Sequence, residues 1–329
     1  MSELSRTESG PGARALGAIT LGLTLAAVLA ARSRPRPVRS ARPTRPMNAP
    51  APLRTADPEA RAAGQLYLSS AMLAASVLSD SALEHYRGGF ENPGMFAPLA
   101  SATLVLAGAS KAARHPGRRV AALPFGAACA IGVAGLGFHA YNVLRRPGGL
   151  SWGNLFYAAP VGAPAALSLA GLLGLAAREV GRGEASLAGM PRGRALGMLA
   201  AAGLAGTSME AALLHFRGAY HNPAMWLPVS LPPVGAALLA AASAPAAAPS
   251  RRRSRLARGW LAATAWLGAG GVAFHAFGIA RQMGGWRNWS QNLLSGPPLP
   301  APPSFSALAL AGRAALALRA REPAWREAA

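Results

Sequence analysis

The sequence predicts an all-α, polytopic integral membrane protein with two tandem four-helix transmembrane repeats in the same orientation, plus one extra N-terminal helix. The composition is the first observation, since 52% of the residues are hydrophobic but only 14% are charged. The second is that the stretches 120–138, 147–177 and 222–250 carry no charge at all. Because a membrane-spanning helix needs about 20 apolar residues, these stretches suit a lipid environment.

The third observation is a segment that occurs twice. Residues 80–98 and 210–228 are identical at nine of nineteen aligned positions. A second pair of segments, 135–141 and 271–277, follows in the same order. The matched polar pairs are Asp80/Glu210, His85/His215, Arg87/Arg217, Asn92/Asn222 and His139/His275. A repeat at a nearly fixed separation along the sequence indicates a tandem duplication of one structural unit.

The apolar pattern places four helices in each unit. In the first unit they are predicted at 62–87, 96–113, 120–145 and 155–177, and in the second at 194–217, 225–247, 258–281 and 303–320. The first repeat therefore covers 61–178 and the second covers 194–320. A cytoplasmic linker at 179–193 joins them, and a cytoplasmic tail at 321–329 ends the chain.

The N-terminal region is predicted to hold an extra helix followed by a linker. Residues 1–31 contain an apolar segment at 13–31 that ends in Leu-Ala-Ala, which would also suit a signal-peptide cleavage site. Six arginines between 32 and 45 oppose export, so we favour an uncleaved transmembrane helix. The Arg/Pro-rich stretch 32–60 is then a disordered cytoplasmic linker.

The net charge of +21 is explained by topology rather than by nucleic-acid binding. Basic residues concentrate at 111–119, 178–194, 251–258 and 319–326, whereas the alternate loops carry few of them. This alternation is the positive-inside pattern. It places the C-terminus in the cytoplasm, both His-bearing loops outside, and the protein in the cell (inner) membrane with the lipid bilayer as its main partner.

Four histidines are the candidate cofactor ligands: His85, His139, His215 and His275. Ionisable side chains within the membrane are costly and commonly functional, and imidazole binds metals and haem iron. Two histidines in each repeat are the minimum for bis-His haem b. Against this, counting from the expected helix ends separates the two imidazoles of a repeat by about 9 Å in depth. The alternative is that each imidazole caps a helix or bonds a backbone carbonyl.

Four glycines share a helical face with two of these histidines. Gly132 and Gly135 precede His139 by seven and four residues, and Gly268 and Gly271 precede His275 in the same way. Missing side chains leave room for a flat macrocycle, but they equally allow close helix packing. Both interpretations stay open from the sequence.

Acidic and basic residues at a fixed spacing form a second repeated feature of the sequence. Asp80 lies seven residues before Arg87, and Glu210 lies seven residues before Arg217, so each pair shares a helical face. The two interpretations are a proton or ion relay and a structural charge pair in which the arginine reaches back to the carboxylate. Asn92 and Asn222 each precede a proline and predict a turn before the next helix.

Three classes of function follow from these patterns. The first is a redox subunit that binds haem b or a metal at the histidine pairs; the second is a small-molecule or ion transporter. The third is a structural or assembly subunit whose repeated loops dock a membrane or extracytoplasmic protein. Copper binding by Met95, Met225 and His221 is disfavoured because Glu91 replaces His221 in the first copy. No nucleophile or metalloprotease motif predicts independent catalytic activity.

Overall fold

We describe the protein from a computed structural model, over residues 57–116, 120–157, 160, 162–244 and 250–322. This part of the chain is mainly helical. The predicted helix at 13–31 and nearly all of the linker at 32–60 lie outside the described residues. The first described helix begins at Pro58, where the side chain of Asp57 accepts a hydrogen bond from the Glu59 amide. A capping aspartate followed by proline is a strong helix start.

The first half of the described chain contains five α-helices and one 3₁₀ turn. They are α1 (Pro58–Arg87), the 3₁₀ turn Pro93–Phe96, α2 (Ala97–Arg114), α3 (Leu123–Leu144), α4 (Trp152–Tyr157) and α5 (Gly162–Gly181). A short antiparallel hairpin follows, made of β1 (Ser186–Leu187) and β2 (Met190–Pro191). The hairpin lies within the predicted linker and was not expected in an all-α chain.

The second half has the same order of α-helices and one additional 3₁₀ turn. They are α6 (Arg192–Arg217), the 3₁₀ turn Pro223–Trp226, α7 (Leu227–Ser243), α8 (Arg251–Ala280), the 3₁₀ turn Gly285–Asn288, α9 (Trp289–Ser295) and α10 (Pro303–Arg319). Helix α8 begins seven residues earlier than the predicted 258, because Ser250 caps it by accepting a hydrogen bond from the Arg253 amide.

Seven helical segments among the described residues are long and apolar enough to cross a membrane. They comprise α1, α2 with its 3₁₀ turn, α3, α5, α6, α7 with its 3₁₀ turn, and α8. The predicted eighth span is α10, whose 17 residues lie at the lower limit for spanning a bilayer. The prediction of a helical protein suited to a membrane is thus confirmed.

The helices form a central group and a peripheral group. Helices α1, α5, α6 and α10 are the most buried, and α1 packs directly on α10. Helices α2, α3, α7 and α8 lie outside them and expose large apolar side chains; Trp266 on α8, for example, is 78% exposed. Exposed apolar patches of this extent are rare on soluble proteins. A lipid environment would cover them.

Helix pairing follows one scheme in both halves. Helix α1 packs on α2 and α5, and α5 packs on α3; correspondingly, α6 packs on α7 and α10, and α10 packs on α8. Small residues mediate the close central contacts. The Ser70 hydroxyl donates to the Ala170 carbonyl at 2.7 Å, and the Ser76 hydroxyl donates to the Pro300 carbonyl at 2.5 Å. Small hydroxyl residues at helix crossings are typical of membrane bundles.

Candidate functional site: the imidazole end of the bundle

The four candidate histidines lie near the C-terminal ends of α1, α3, α6 and α8. These ends form one end of the bundle, here called the imidazole end. Contacts across it join the two halves: the Arg87 guanidinium donates to the Leu294 carbonyl, and Phe156 stacks on Phe216 with ring centroids 5.4 Å apart. The fold therefore brings all four predicted ligands to the same side of the molecule.

The turns after α1 and α6 hold an unusual backbone. Gly89 and Phe90 have φ values of 66° and 50°, and the matching residues Ala219 and Tyr220 have φ values of 53° and 47°. The left-handed region is uncommon for residues other than glycine, and bulky side chains there are strained by about 1–3 kcal/mol. The strain occurs in both turns beside a histidine, and such strain tends to collect at functional sites.

Aromatic stacking holds each strained residue in place. Phe90 stacks on Phe96 with ring centroids 4.5 Å apart, and Tyr220 stacks on Trp226 at 4.1 Å. The same two rings meet an imidazole edge-on, at 6.2 Å from His85 and 6.2 Å from His215. Each aromatic pair thus packs beside one imidazole ring.

His85 and His215 use the same ring nitrogen in the same way. Their Nδ1 atoms lie 2.7 Å from the Met95 carbonyl and 2.8 Å from the Met225 carbonyl. Because a carbonyl oxygen can only accept, Nδ1 carries the hydrogen in both rings. In a neutral imidazole the other nitrogen, Nε2, is then an acceptor with a free lone pair.

His139 and His275 repeat this arrangement on α3 and α8. The Nδ1 of His139 donates to the Pro160 carbonyl, and the Nδ1 of His275 donates to the Pro298 carbonyl at 2.7 Å. Proline has no amide hydrogen to donate, but its carbonyl oxygen can accept a hydrogen bond. In all four imidazoles Nε2 is therefore the nitrogen without a hydrogen bond to any residue that the structure describes.

The glycine face is occupied by the neighbouring helix. A Cβ added to Gly132 would lie 2.5 Å from the Pro164 carbonyl oxygen, and one added to Gly268 would lie 2.8 Å from the Pro302 carbonyl oxygen. Gly135 and Gly271 face the rings of the same two prolines. These glycines contribute close packing, and by drawing α3 onto α5 and α8 onto α10 they bring each histidine to its carbonyl partner.

Within each half the two imidazoles are electrostatic neighbours. His139 lies within electrostatic range of His85, and His275 lies within electrostatic range of His215. Each half therefore carries two histidines that donate Nδ1–H to a backbone carbonyl, and their role as a ligand pair stays a prediction.

Asn92 and Asn222 serve the turns themselves. The side-chain oxygen of Asn92 accepts from the Gly94 amide at 2.8 Å, and that of Asn222 accepts from the Ala224 amide at 2.9 Å. This is the capping role for which asparagine is favoured, and it starts the 3₁₀ turns before α2 and α7. The side-chain oxygens of both asparagines are thus used inside the protein.

A second repeated asparagine, Asn154 and Asn292, matches between the copies but was not among the predicted site residues. Asn154 donates through Nδ2 to the Pro147 and Gly149 carbonyls, and Asn292 donates through Nδ2 to the Met283 and Gly285 carbonyls, at 2.7–3.2 Å. Each side chain closes a glycine-containing loop after the histidine-bearing helix. The signal was present, because both asparagines follow a tryptophan at matched places in the repeat.

The charged residues pair differently from the prediction. Arg87 forms an ion pair with Glu84 rather than with Asp80, because Glu84 is only three residues away. Glu210 accepts a hydrogen bond from the Gly162 amide at 3.1 Å, while the Arg217 guanidinium lies over the Tyr157 ring at 5.6 Å.

The two carboxylates of the repeat lie within electrostatic range of one another. Asp80 is an electrostatic neighbour of Glu210 as well as of Glu84 and Arg87. Asp80 belongs to α1 and Glu210 to α6, so this electrostatic influence acts between the halves. Neither direct pair, Asp80 with Arg87 or Glu210 with Arg217, occurs among the ion pairs of the described residues.

Over the residues that the structure describes, no three His, Cys, Asp or Glu side chains are grouped to hold a metal ion. The fold and the site together define a helical protein with seven segments suited to crossing a membrane and two imidazole pairs at one end. Comparisons with protein-family models, curated proteins and solved structures find no match to this chain.

Proposed function

We propose that the protein is a duplicated membrane bundle whose two four-helix units share one orientation. The matched element order, helix pairing and hydrogen bonds of the four histidines support this. An even number of spans per unit keeps both copies in the same orientation, about an axis along the membrane normal. The basic ends then lie in the cytoplasm with the C-terminus, and the imidazole end faces outward.

We infer that each imidazole pair is a ligand site for haem b or a single metal ion, which makes the protein a candidate membrane redox subunit. The supporting observation is that all four imidazoles donate Nδ1–H to a backbone carbonyl and leave Nε2 free. Metal-ligating histidines in proteins almost always show this second-shell bond, since it fixes the tautomer and aims the lone pair. Haem b would supply one-electron chemistry when bound.

The recurrence of imidazole itself favours a ligand role over a purely structural one. A serine, glutamine or tryptophan could also donate to a carbonyl, yet histidine stands at all four positions. Each pair belongs to one half, His85 with His139 and His215 with His275, so one ligand per half is expected. With two protein ligands per site, axial ligation of haem matches the donor number better than a tetrahedral metal centre does.

Absorption spectroscopy of the full-length protein tests this proposal. We expect protein purified from haem-supplied cells to show a Soret band, with about two haems per chain if both pairs are filled. His139→Gln should remove about half of the band, and the double variant His139→Gln/His275→Gln should remove all of it. Glutamine keeps a donor for the carbonyl but is a poor iron ligand.

The matched control is His221→Gln. His221 lies exposed in the turn after α6 and bonds the Gly218 carbonyl at 2.9 Å, outside both pairs. Its substitution should leave the band unchanged. A chain that is colourless and metal-free after incubation with hemin and with copper or zinc salts would overturn the proposal.

A second candidate function, ion or proton transport, is supported by two carboxylates, Asp80 on α1 and Glu210 on α6, that lie within electrostatic range of each other. Carboxylates at membrane depth commonly mark ion or proton pathways. Cation or proton uptake into proteoliposomes should then be lost in Asp80→Asn and kept in Glu91→Gln, which changes an exposed loop carboxylate. Uptake that is equal in Asp80→Asn and the unmodified protein would exclude this pathway.

A further inference from the structure

A basic pocket lies at the end of the bundle opposite the imidazole end. The ends of α1, α8 and α10 enclose about 220 Å³. Four arginines line it, one from α1, one from α8, one from α10 and one just after α10: Arg61, Arg258, Arg313 and Arg321. Ala62 and Leu318 are among its apolar wall, and no lining residue is acidic.

Three of these guanidinium groups lack a carboxylate partner within the described chain. Arg258 donates to the Leu316 carbonyl at 3.3 Å, and Arg313 donates to the Arg258 carbonyl at 3.1 Å. The side chain of Arg61 makes no hydrogen bond within the residues described. Arg258 and Arg313 are held in place by backbone carbonyls, so together with Arg61 they bring to the pocket three guanidinium groups that form no ion pair with another described residue.

The pocket is not a consequence of the duplication. By the sequence offsets of the repeat, the positions that match the four arginines hold Pro191, Ala122, Leu175 and Gly183. None of the four matched positions carries a charge, so these arginines are not part of the repeated pattern. A positive-inside signal alone would not require Arg313 to lie nearly two turns before the end of α10.

We propose that this pocket binds the phosphate headgroup of an anionic membrane lipid. Arginine matches phosphate geometry through paired N–H donors, and basic pockets between helices near the membrane surface suit such headgroups. The pocket has an apolar wall that includes Ala62, Ala317 and Leu318, which suits contact with the apolar part of a lipid beside the charged headgroup. Since the lipid and the imidazole pairs lie at opposite ends, this proposal stands independently of the proposed cofactor.

Native mass spectrometry of the full-length protein in detergent tests the lipid site. Phosphatidylglycerol and phosphatidylcholine would each be titrated as probes, and the bound fraction compared. We expect phosphatidylglycerol to bind more tightly, and Arg61→Gln/Arg313→Gln to weaken it by roughly ten- to a hundredfold, as loss of charge-assisted hydrogen bonds implies. Arg252→Gln/Arg255→Gln removes equal charge from exposed positions on α8 outside this pocket and should retain binding.

A further variant separates binding from folding. Arg61 has no side-chain hydrogen bond to lose, so Arg61→Gln alone should weaken binding while the unfolding temperature stays unchanged, and Arg61→Lys should restore part of the affinity. Equal weakening in both double variants would overturn the proposal, because it would indicate general surface charge. Displacement of the lipid by inorganic phosphate at similar concentration would also overturn it, in favour of a soluble phosphate ligand.

Discussion

At the scale of single residues, the two copies place different residue types at the same left-handed position of a turn. The turn after α1 uses Gly89 at φ 66°, whereas the turn after α6 uses Ala219 at φ 53°. A Cβ makes the left-handed region unfavourable by about 1–2 kcal/mol per residue, while glycine adopts it readily. The second copy therefore carries strain that the first has avoided.

Ala219→Gly is expected to stabilise the protein by about 1 kcal/mol, because it removes this strain without removing a side-chain contact that the turn needs. Thermal or denaturant unfolding in detergent measures the change. Ala202→Gly, at an exposed position inside α6, is the control and should destabilise by about 1 kcal/mol. If both variants lose stability equally, the backbone of Ala219 is not strained.

Individual site residues could be proposed from the sequence only where the same side chain occurs at the matched position of both copies. The four histidines, Asn92 and Asn222 were identified because both copies carry them. Their acceptors and donors, such as the Met95 and Pro160 carbonyls, are backbone groups that any sequence offers. Nothing in a residue type shows which carbonyl the fold will bring to an imidazole.

At the scale of helices, glycine spacing sets how closely α3 meets α5 and α8 meets α10. Gly132 and Gly268 face the backbone of the next helix, while Gly137 and Gly270 have nothing within 4 Å of an added Cβ. The sequence showed glycines at helical spacing but did not distinguish room for a macrocycle from room for a helix. That choice depends on which helix packs there, and periodicity does not contain this information.

Gly132→Ala and Gly268→Ala should therefore destabilise the bundle by about 1–3 kcal/mol through overpacking. Gly137→Ala and Gly270→Ala are matched controls, expected to be neutral or stabilising by up to about 1 kcal/mol because alanine favours the helix. Unfolding in detergent would compare all four variants. Tolerance of Gly132→Ala and Gly268→Ala at unchanged stability would show that α3 and α8 do not pack as described.

Helix boundaries differed from prediction where local chemistry overrides hydropathy. The span predicted at 155–177 is two helices, α4 and α5, because Pro160 lies between them in the apolar run. Proline disfavours a helical residue before it and removes an amide donor, so the chain breaks and restarts. Proline at the first helical turn is tolerated, which is why α5 contains Pro164 near its start.

At the scale of the whole molecule, apolar length and composition predicted the helical class well, while the arrangement across the membrane rests on the charges. The exposed apolar faces of α3 and α8 agree with contact to lipid. Arginines cluster at the start of α8 and the end of α10, and both helix ends line one pocket. Charge asymmetry of this kind sets orientation in membranes, so the proposed topology follows from the ends that carry the arginines.

Cysteine labelling in intact cells tests this orientation with a decisive internal comparison. Cys129 is the only native cysteine, so Cys129→Ala provides the background. We expect Glu91→Cys and His221→Cys, in the matched exposed turns, to react equally with a membrane-impermeant maleimide, and Arg252→Cys to react only after permeabilisation. Reaction of position 91 but not 221 would place the copies in opposite orientations and rule out a parallel duplication. Reaction of all three in intact cells would show that the imidazole end and the arginine-rich end do not lie on opposite sides of a membrane.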